Sequence, residues 1–245
     1  MALLAIIGGS GFDCLGALEP LSDEVPLTPY GPPSAPVRRG HLNRTEVLFL
    51  PRHGEQHQLP PHRVNYRANL WALRELGAER VLGLAAVGGI APGFAPRVFA
   101  VPDQLIDYTY GRDHTFFEGG SSGVQHVDFT EPYCPQLRSE LLAACAQVGV
   151  PVAGKATYGA TQGPRLETAA EIARLEGDGC HLVGMTGMPE TALARELDLR
   201  YACLAFVVNW AAGKGNGAIN AAEIDEHVRH CSRRVEAILV ALVEG

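Results

Sequence analysis

No stretch of this 245-residue chain is apolar for long enough to cross a bilayer, and no run of basic residues occurs. The first absence excludes a helical membrane span, which needs about 20 consecutive apolar residues. The second, with a formal net charge of −7, excludes a general nucleic-acid-binding surface. The cysteines (14, 134, 145, 180, 203 and 231) form no Cys-x-x-Cys pair, so they read as reduced core residues of a cytoplasmic protein. His53, His57 and His62 have no carboxylate or cysteine to complete a ligand set, and no metal site is expected. The dinucleotide-binding fingerprint and the Walker A pattern are both missing, and no carboxylate pair or nucleophilic triad stands out. The N-terminal MALLAIIGGSG lacks a basic flank and reads as a buried strand rather than a signal peptide. With no repeat and no break in composition, residues 1–245 are expected to form one domain.

What is present is a composition of 47% hydrophobic and 19% charged residues, which suits a globular domain with a sizeable core. Apolar strands at 3–7, 46–50, 81–86, 152–157, 181–184 and 201–208 alternate with helical patterns, so an α/β fold with helices on both faces of a mixed or parallel sheet is expected. Residues 20–40 read as a connecting loop or irregular hairpin, 98–107 as one extended segment, 109–125 as a long surface loop and 55–61 as a flap. Polar and glycine residues collect at strand ends: Gly8-Gly9-Ser10-Gly11, Arg52-His53, Gly88-Gly89 and Asn209. Glycines there let backbone N–H groups approach an anion, and arginine supplies a fixed fork of donors. The stretch from Gly159 to Glu190 holds two successive loop-to-helix junctions. Thr168 and Glu171 have capping-box spacing in the first, and Met185-Thr186-Gly187-Met188-Pro189-Glu190 forms the second. Junctions that mix apolar and polar groups in this way suit a flat ligand with a few hydrogen-bonding edges.

The segments IIGGSG (6–11), PRHGEQH (51–57), VNYRANLWALRELG (64–77), AAVGGI (85–90), HVDFTEPYCP (126–135), QGPRLETAAEI (162–172), VGMTGMPE (183–190) and AFVVNWAAG (205–213) share a further property. In this order, over nearly the whole chain, they resemble the trimeric purine nucleoside phosphorylase and methylthioadenosine phosphorylase family. The resemblance implies a three-layer α/β/α sandwich with a mixed central sheet, a homotrimer, and phosphorolysis of a purine nucleoside. It implies no metal and no organic cofactor, inorganic phosphate being a co-substrate. By matching position, Ser10, Arg52, His53, the backbone N–H of Ala86 and Thr186 would hold phosphate. Met185 would pack under the ribose and Leu166 against the purine. Glu167 and Asn209 fall at base-recognition positions, with Val208 beside them, and His126 would reach in from a neighbouring subunit. Asn209, Glu167 and His53 are the candidate catalytic residues. Two departures stand out: Gln162 replaces a frequent acidic or small residue, and Ala85 stands where many relatives have threonine.

The chemistry is consistent with that transfer. Cleaving the N-glycosidic bond builds positive charge on the ribose and negative charge on the purine. A phosphate dianion below C1′ needs aiming and desolvation, and the leaving purine needs a hydrogen bond at N7. Asn209 with Glu167 complements a 6-oxopurine, and Ala221, just past the cap of the last helix, offers an apolar 5′ pocket. S-methyl-5′-thioinosine is therefore the expected substrate, ahead of inosine, guanosine or methylthioadenosine. A nucleoside-binding protein without catalysis is the reading from another class, and a NAD-binding enzyme a third.

Overall fold

Strand β1 (Leu4–Gly8) opens a computed structural model that describes residues 2–120 and 123–245. It is followed by β2 (Leu18–Glu24), β3 (Val37–Leu42), β4 (Thr45–Pro51), α1 (Tyr66–Glu75), β5 (Arg80–Gly89), β6 (Phe99–Ala100) and β7 (Gln104–Asp107). Then come α2 (Pro135–Gln147), β8 (Val152–Ala153), β9 (Thr157–Ala160), α3 (Ala169–Gly177), β10 (Leu182–Gly184), α4 (Gly187–Glu196), β11 (Arg200–Trp210) and α5 (Ala221–Glu244). These strands join in one mixed sheet, and helices cover both of its faces, which makes a single-domain α/β fold.

The central strand is β5. Along one edge it pairs in parallel with β11 from Arg80 to Gly89. Along the other it pairs with β1 only from Arg80 to Gly83, and antiparallel β10 joins it only at Gly88 and Gly89. Residues 84–87 are left open on that edge. Beyond this gap the sheet divides: β10, β9 and β7 form one branch, and β11, β6 and β8 the other.

This division revises two sequence expectations. Residues 98–107 are not one extended segment: β6 pairs with β11 on one branch and β7 with β9 on the other, with Pro102 between them. Residues 152–157 divide in the same way into β8 and the start of β9. Residues 20–40 contribute the antiparallel pair β2 and β3.

The pleat sorts the core into two layers. On β1, β5 and β11 the odd-numbered Ala5, Ile7, Val81, Tyr201 and Cys203 pack with α1 and α4. The even-numbered Leu4, Ile6, Leu82, Ala202 and Leu204 pack with α2 and α5. Helix ends follow local chemistry. Thr168 and Glu171 form both bonds of a capping box at α3, and Asn220 Oδ1 accepts the Ala222 N–H at 2.9 Å to start α5.

A buried ion pair ties the end of β4 to α4. Arg52 Nε donates to Glu190 Oε2 at 2.6 Å and Nη2 to Oε1 at 2.8 Å, with the residues 1% and 0% exposed. Tyr201 donates its hydroxyl to Glu190 Oε1 at 2.7 Å. Gly83 makes the room, because a Cβ there would overlap the Tyr201 hydroxyl. Burial alone would lower the Arg52 pKa, but the Glu190 carboxylate outweighs it and the guanidinium is held firmly charged. Removing one member leaves an uncompensated buried charge. Glu190→Ala is therefore expected to lower the unfolding free energy by about 3–5 kcal/mol in urea denaturation; a loss near zero would mean that the pair does not hold the fold.

Candidate active site

The gap beside β5 opens into a cavity of about 460 Å³. Several of its walls are strand ends or loop-to-helix junctions. Gly9 and Ser10 follow β1, Arg52 and His53 follow β4, and Met185 and Thr186 connect β10 to α4. The open run of β5, from Leu84 to Val87, lines it as well. In an α/β sheet, divergence between neighbouring strands leaves such a crevice at their ends.

At one end the structure brings together Ser10, Arg52, His53, Ala86 and Thr186, the residues expected around an anion. Arg52 is less free than its sequence context implies. Besides its two bonds to Glu190, Nη1 donates to the Leu84 carbonyl at 2.9 Å, an acceptor at the start of the open strand edge. Nη1 also donates to the Gly8 carbonyl at 3.5 Å, so one of its five donors remains for a ligand. His53 Nδ1 lies 2.8 Å from the Leu59 carbonyl. A carbonyl only accepts, so Nδ1 carries the proton. Burial and the adjacent Arg52 cation push this imidazole down to about 4. His53 is thus neutral at pH 7, with a lone pair on Nε2 available as an acceptor. The flap covers this end. The His57 ring lies tilted at 33° with its centroid 4.6 Å from that of His53, and His57 Nδ1 is 3.1 Å from Asp13 Oδ1.

At the other end lie Leu166, Glu167, Met185, Val208 and Asn209. Thr161 Oγ1 donates to Glu167 Oε1 at 2.6 Å, which fixes that carboxylate. In β11 the register slips between Val207 and Asn209, so Val208 forms a bulge, the device by which a strand re-aims a side chain. His227 from α5 donates Nδ1–H to the Val208 carbonyl at 2.7 Å and holds the bulge. Asn209 Nδ2 donates to the Trp210 carbonyl at 2.8 Å and retains a second N–H. Leu166 stands at the mouth, 46% exposed.

Two expected residues are not brought here. His126 is exposed and does not line the cavity of its own chain. Ala221, the first residue of α5, is exposed, and Ile224 one turn later lines the cavity in its place. Ile224 is visible in the sequence as part of the apolar stripe of α5; which turn of that helix meets the site is not. Gln162, a departure from the family pattern, accepts from the Tyr110 N–H and from Arg112 Nε, both at 3.1 Å. Arg112 and His227 carry no signal in the sequence, one lying in a loop of surface composition and the other among polar helix residues. Among the described residues no group of three potential metal ligands converges.

Hydrogen-bond donors at strand ends, a carboxylate and an amide around one crevice suit a glycosyl transfer to phosphate. Comparison with known proteins points the same way. A probable S-methyl-5′-thioinosine phosphorylase of Xanthomonas campestris pv. campestris is 56% identical over 243 residues, 99% of this chain and 97% of that one. The 6-oxopurine nucleoside phosphorylase of Pyrococcus furiosus is 44% identical over 248 residues, 99% of this chain and 92% of that one. Methylthioadenosine phosphorylase from Schistosoma mansoni, solved with adenine, superposes with a TM-score of 0.95 at 31% identity, covering 100% of this chain and 91% of that one. The model of the phosphorylase superfamily matches residues 3–244, and the chain belongs to that family as an enzyme of the pentosyltransferase type.

Proposed function

We propose that this enzyme cleaves S-methyl-5′-thioinosine with inorganic phosphate, giving hypoxanthine and 5-methylthioribose 1-phosphate. A phosphate oxygen forms a bond to C1′ while the C1′–N9 bond breaks, and its electron pair leaves on the purine. Ser10, Thr186, the Ala86 N–H and the remaining Arg52 donor hold the dianion. Neutral His53 accepts from a phosphate hydroxyl through Nε2. The proton that HPO4(2−) gives up on becoming the ester returns through solvent to N7 of the departing purine; the free Asn209 N–H donates to O6 while Oδ1 receives that N7–H, and Glu167 accepts from N1–H. No metal or organic cofactor is needed for these steps.

The observation that carries the choice of nucleoside is the pairing of Glu167 and Asn209 with apolar Ile224 on the wall of one cavity. The first two match a 6-oxopurine; Ile224 suits a methylthio group and gives a 5′-hydroxyl no partner. Relatives named for methylthioinosine and for 6-oxopurine nucleosides agree on the base and differ at the 5′ end. His126 would complete the 5′ side of a neighbour's cavity in a homotrimer, which accords with its exposure and with the open mouth beside Leu166. The six free cysteines suit a reducing cytoplasm.

In a phosphorolysis panel, methylthioinosine should give the highest kcat/KM, above inosine, guanosine and methylthioadenosine, and base release should require phosphate. Methylthioadenosine in first place would refute the base assignment; inosine in first place would refute only the 5′ assignment. Asn209→Asp should move preference toward the 6-amino nucleoside.

Arg52→Ala is a poor probe of phosphate because it also strands Glu190. Thr186→Ala is a cleaner one, and should raise KM for phosphate by roughly tenfold, the worth of about one hydrogen bond. For assembly, sedimentation should give a trimer, and His126→Ala should raise KM for nucleoside more than for phosphate. A fully active monomer would remove His126 from the site.

A further inference from the structure

Arg112 follows Gly111 in a stretch whose composition marks it as surface loop, yet it is 8% exposed. It does not line the cavity. Its guanidinium is fully engaged. Nε donates to Gln162 Oε1 at 3.1 Å, and Nη2 to the carbonyls of Thr161 at 3.2 Å and Gln162 at 2.7 Å. Nη1 donates to the carbonyls of Met185 at 2.8 Å and Met188 at 2.6 Å. The five donors of an arginine therefore meet five acceptors within 3.2 Å, with the Tyr66 hydroxyl a sixth at 3.4 Å from Nη1, and all of these are neutral. The adjacent carboxylate, Asp113, pairs with Arg67 at 2.8 Å instead.

Apart from Tyr66, at the start of α1, those acceptors belong to two separate junctions. Thr161 and Gln162 lead into the turn that carries Leu166 and Glu167, and Thr161 also fixes Glu167 through its hydroxyl. Met185 and Met188 flank Thr186 at the start of α4. One junction presents the base-reading groups, the other the ribose and anion groups. A buried cation satisfied by dipoles alone is a costly way to hold a loop. What it adds over an apolar contact is direction: a planar fork fixes both the distance and the angle between two backbones, which a lysine with its single nitrogen does not.

We propose that Arg112 is a positioning residue for phosphorolysis, a clamp that sets the base-reading loop at 161–167 against the anion and ribose loop at 185–188. This rests on the phosphorolysis reading of the cavity. Phosphate is held by one side of the clamp together with the ends of β1 and β4, and the purine by the other side with Asn209. Either ligand can bind alone when the clamp is loose. The reaction needs both at one fixed offset, with the phosphate oxygen in line behind C1′. Loss of Arg112 therefore falls on kcat rather than on either binary affinity.

The test compares the full-length parent enzyme with Arg112→Ala and Arg112→Lys, using methylthioinosine and phosphate. Both variants should lose about a hundredfold in kcat, the cost of a misplacement of about 1 Å between reacting groups. Calorimetric affinities for hypoxanthine alone and for phosphate alone should be nearly unchanged. Guanidinium ion at millimolar concentration should restore part of kcat in Arg112→Ala and none in Arg112→Lys. Gln162→Ala removes one acceptor of the clamp and should show the same pattern in weaker form, which keeps the test open should Arg112→Ala not fold. A parent-like kcat in Arg112→Ala, or in Gln162→Ala where that variant stands in, would overturn the proposal. So would a parallel loss of kcat and binary affinity. A parent enzyme that releases no base in a phosphate-dependent manner defeats the phosphorolysis reading itself, and the proposal with it, before any variant is compared.

Discussion

A strand inside a sheet has two edges of backbone groups to satisfy, and β5 has a neighbour along only part of one of them. The open run from Leu84 to Val87 is the constraint around which the rest is arranged. Its first carbonyl, on Leu84, is taken by Arg52. That places a cation where water is excluded, and the cation requires Glu190. Glu190 in turn requires the Tyr201 hydroxyl and the absence of a side chain at Gly83. A backbone gap that would be a defect elsewhere in a sheet thus becomes a crevice with rigid walls, held by side chains from β4, α4 and β11.

This arrangement sets the electrostatics of the anion end. Arg52 is already neutralised, and His53 is kept uncharged by burial. Phosphate held there, as proposed, would meet mainly oriented dipoles and hydroxyls, not free positive charge. Such a site gives up some ground-state attraction for the dianion. It retains donors that need no reorganisation as negative charge moves from phosphate to purine, which is where preorganised dipoles contribute most. The buried cation with no carboxylate beside it, Arg112, lies behind Met185, one peptide bond from Thr186.

Much of this was legible in the sequence because its cause is local. Strand ends were marked by Gly8-Gly9, Gly88-Gly89 and Pro51, the capping box by Thr168 and Glu171, and the C-terminal helix by Asn220 and its apolar stripe. Residues at those ends therefore form a recognisable group in the sequence, although their meeting point does not show there. What could not be read depends on partners distant in the chain. Nothing near Arg52 announces that Glu190, 138 residues away, will claim it. Nothing near Pro102 tells that the chain changes branches of a divided sheet. Arg112 looks like a surface arginine because its acceptors are backbone carbonyls, which carry no sequence signature. Ala221 and Ile224 share a helix face, and only packing decides which of them meets the cavity.

The bond between His53 and the Leu59 carbonyl has a consequence for what the flap does to the site. Leu59 belongs to the flap, whereas His53 follows β4. With the flap down, the imidazole proton is pinned on Nδ1 and the opposite nitrogen is an acceptor. With the flap lifted, that carbonyl leaves, and the ring is free to exchange tautomers with solvent. Closure over the cavity is then more than a shield against water, since it also writes the hydrogen-bonding polarity of one wall. In the proposed reaction, the arrangement seen here would then couple recognition of phosphate to exclusion of solvent.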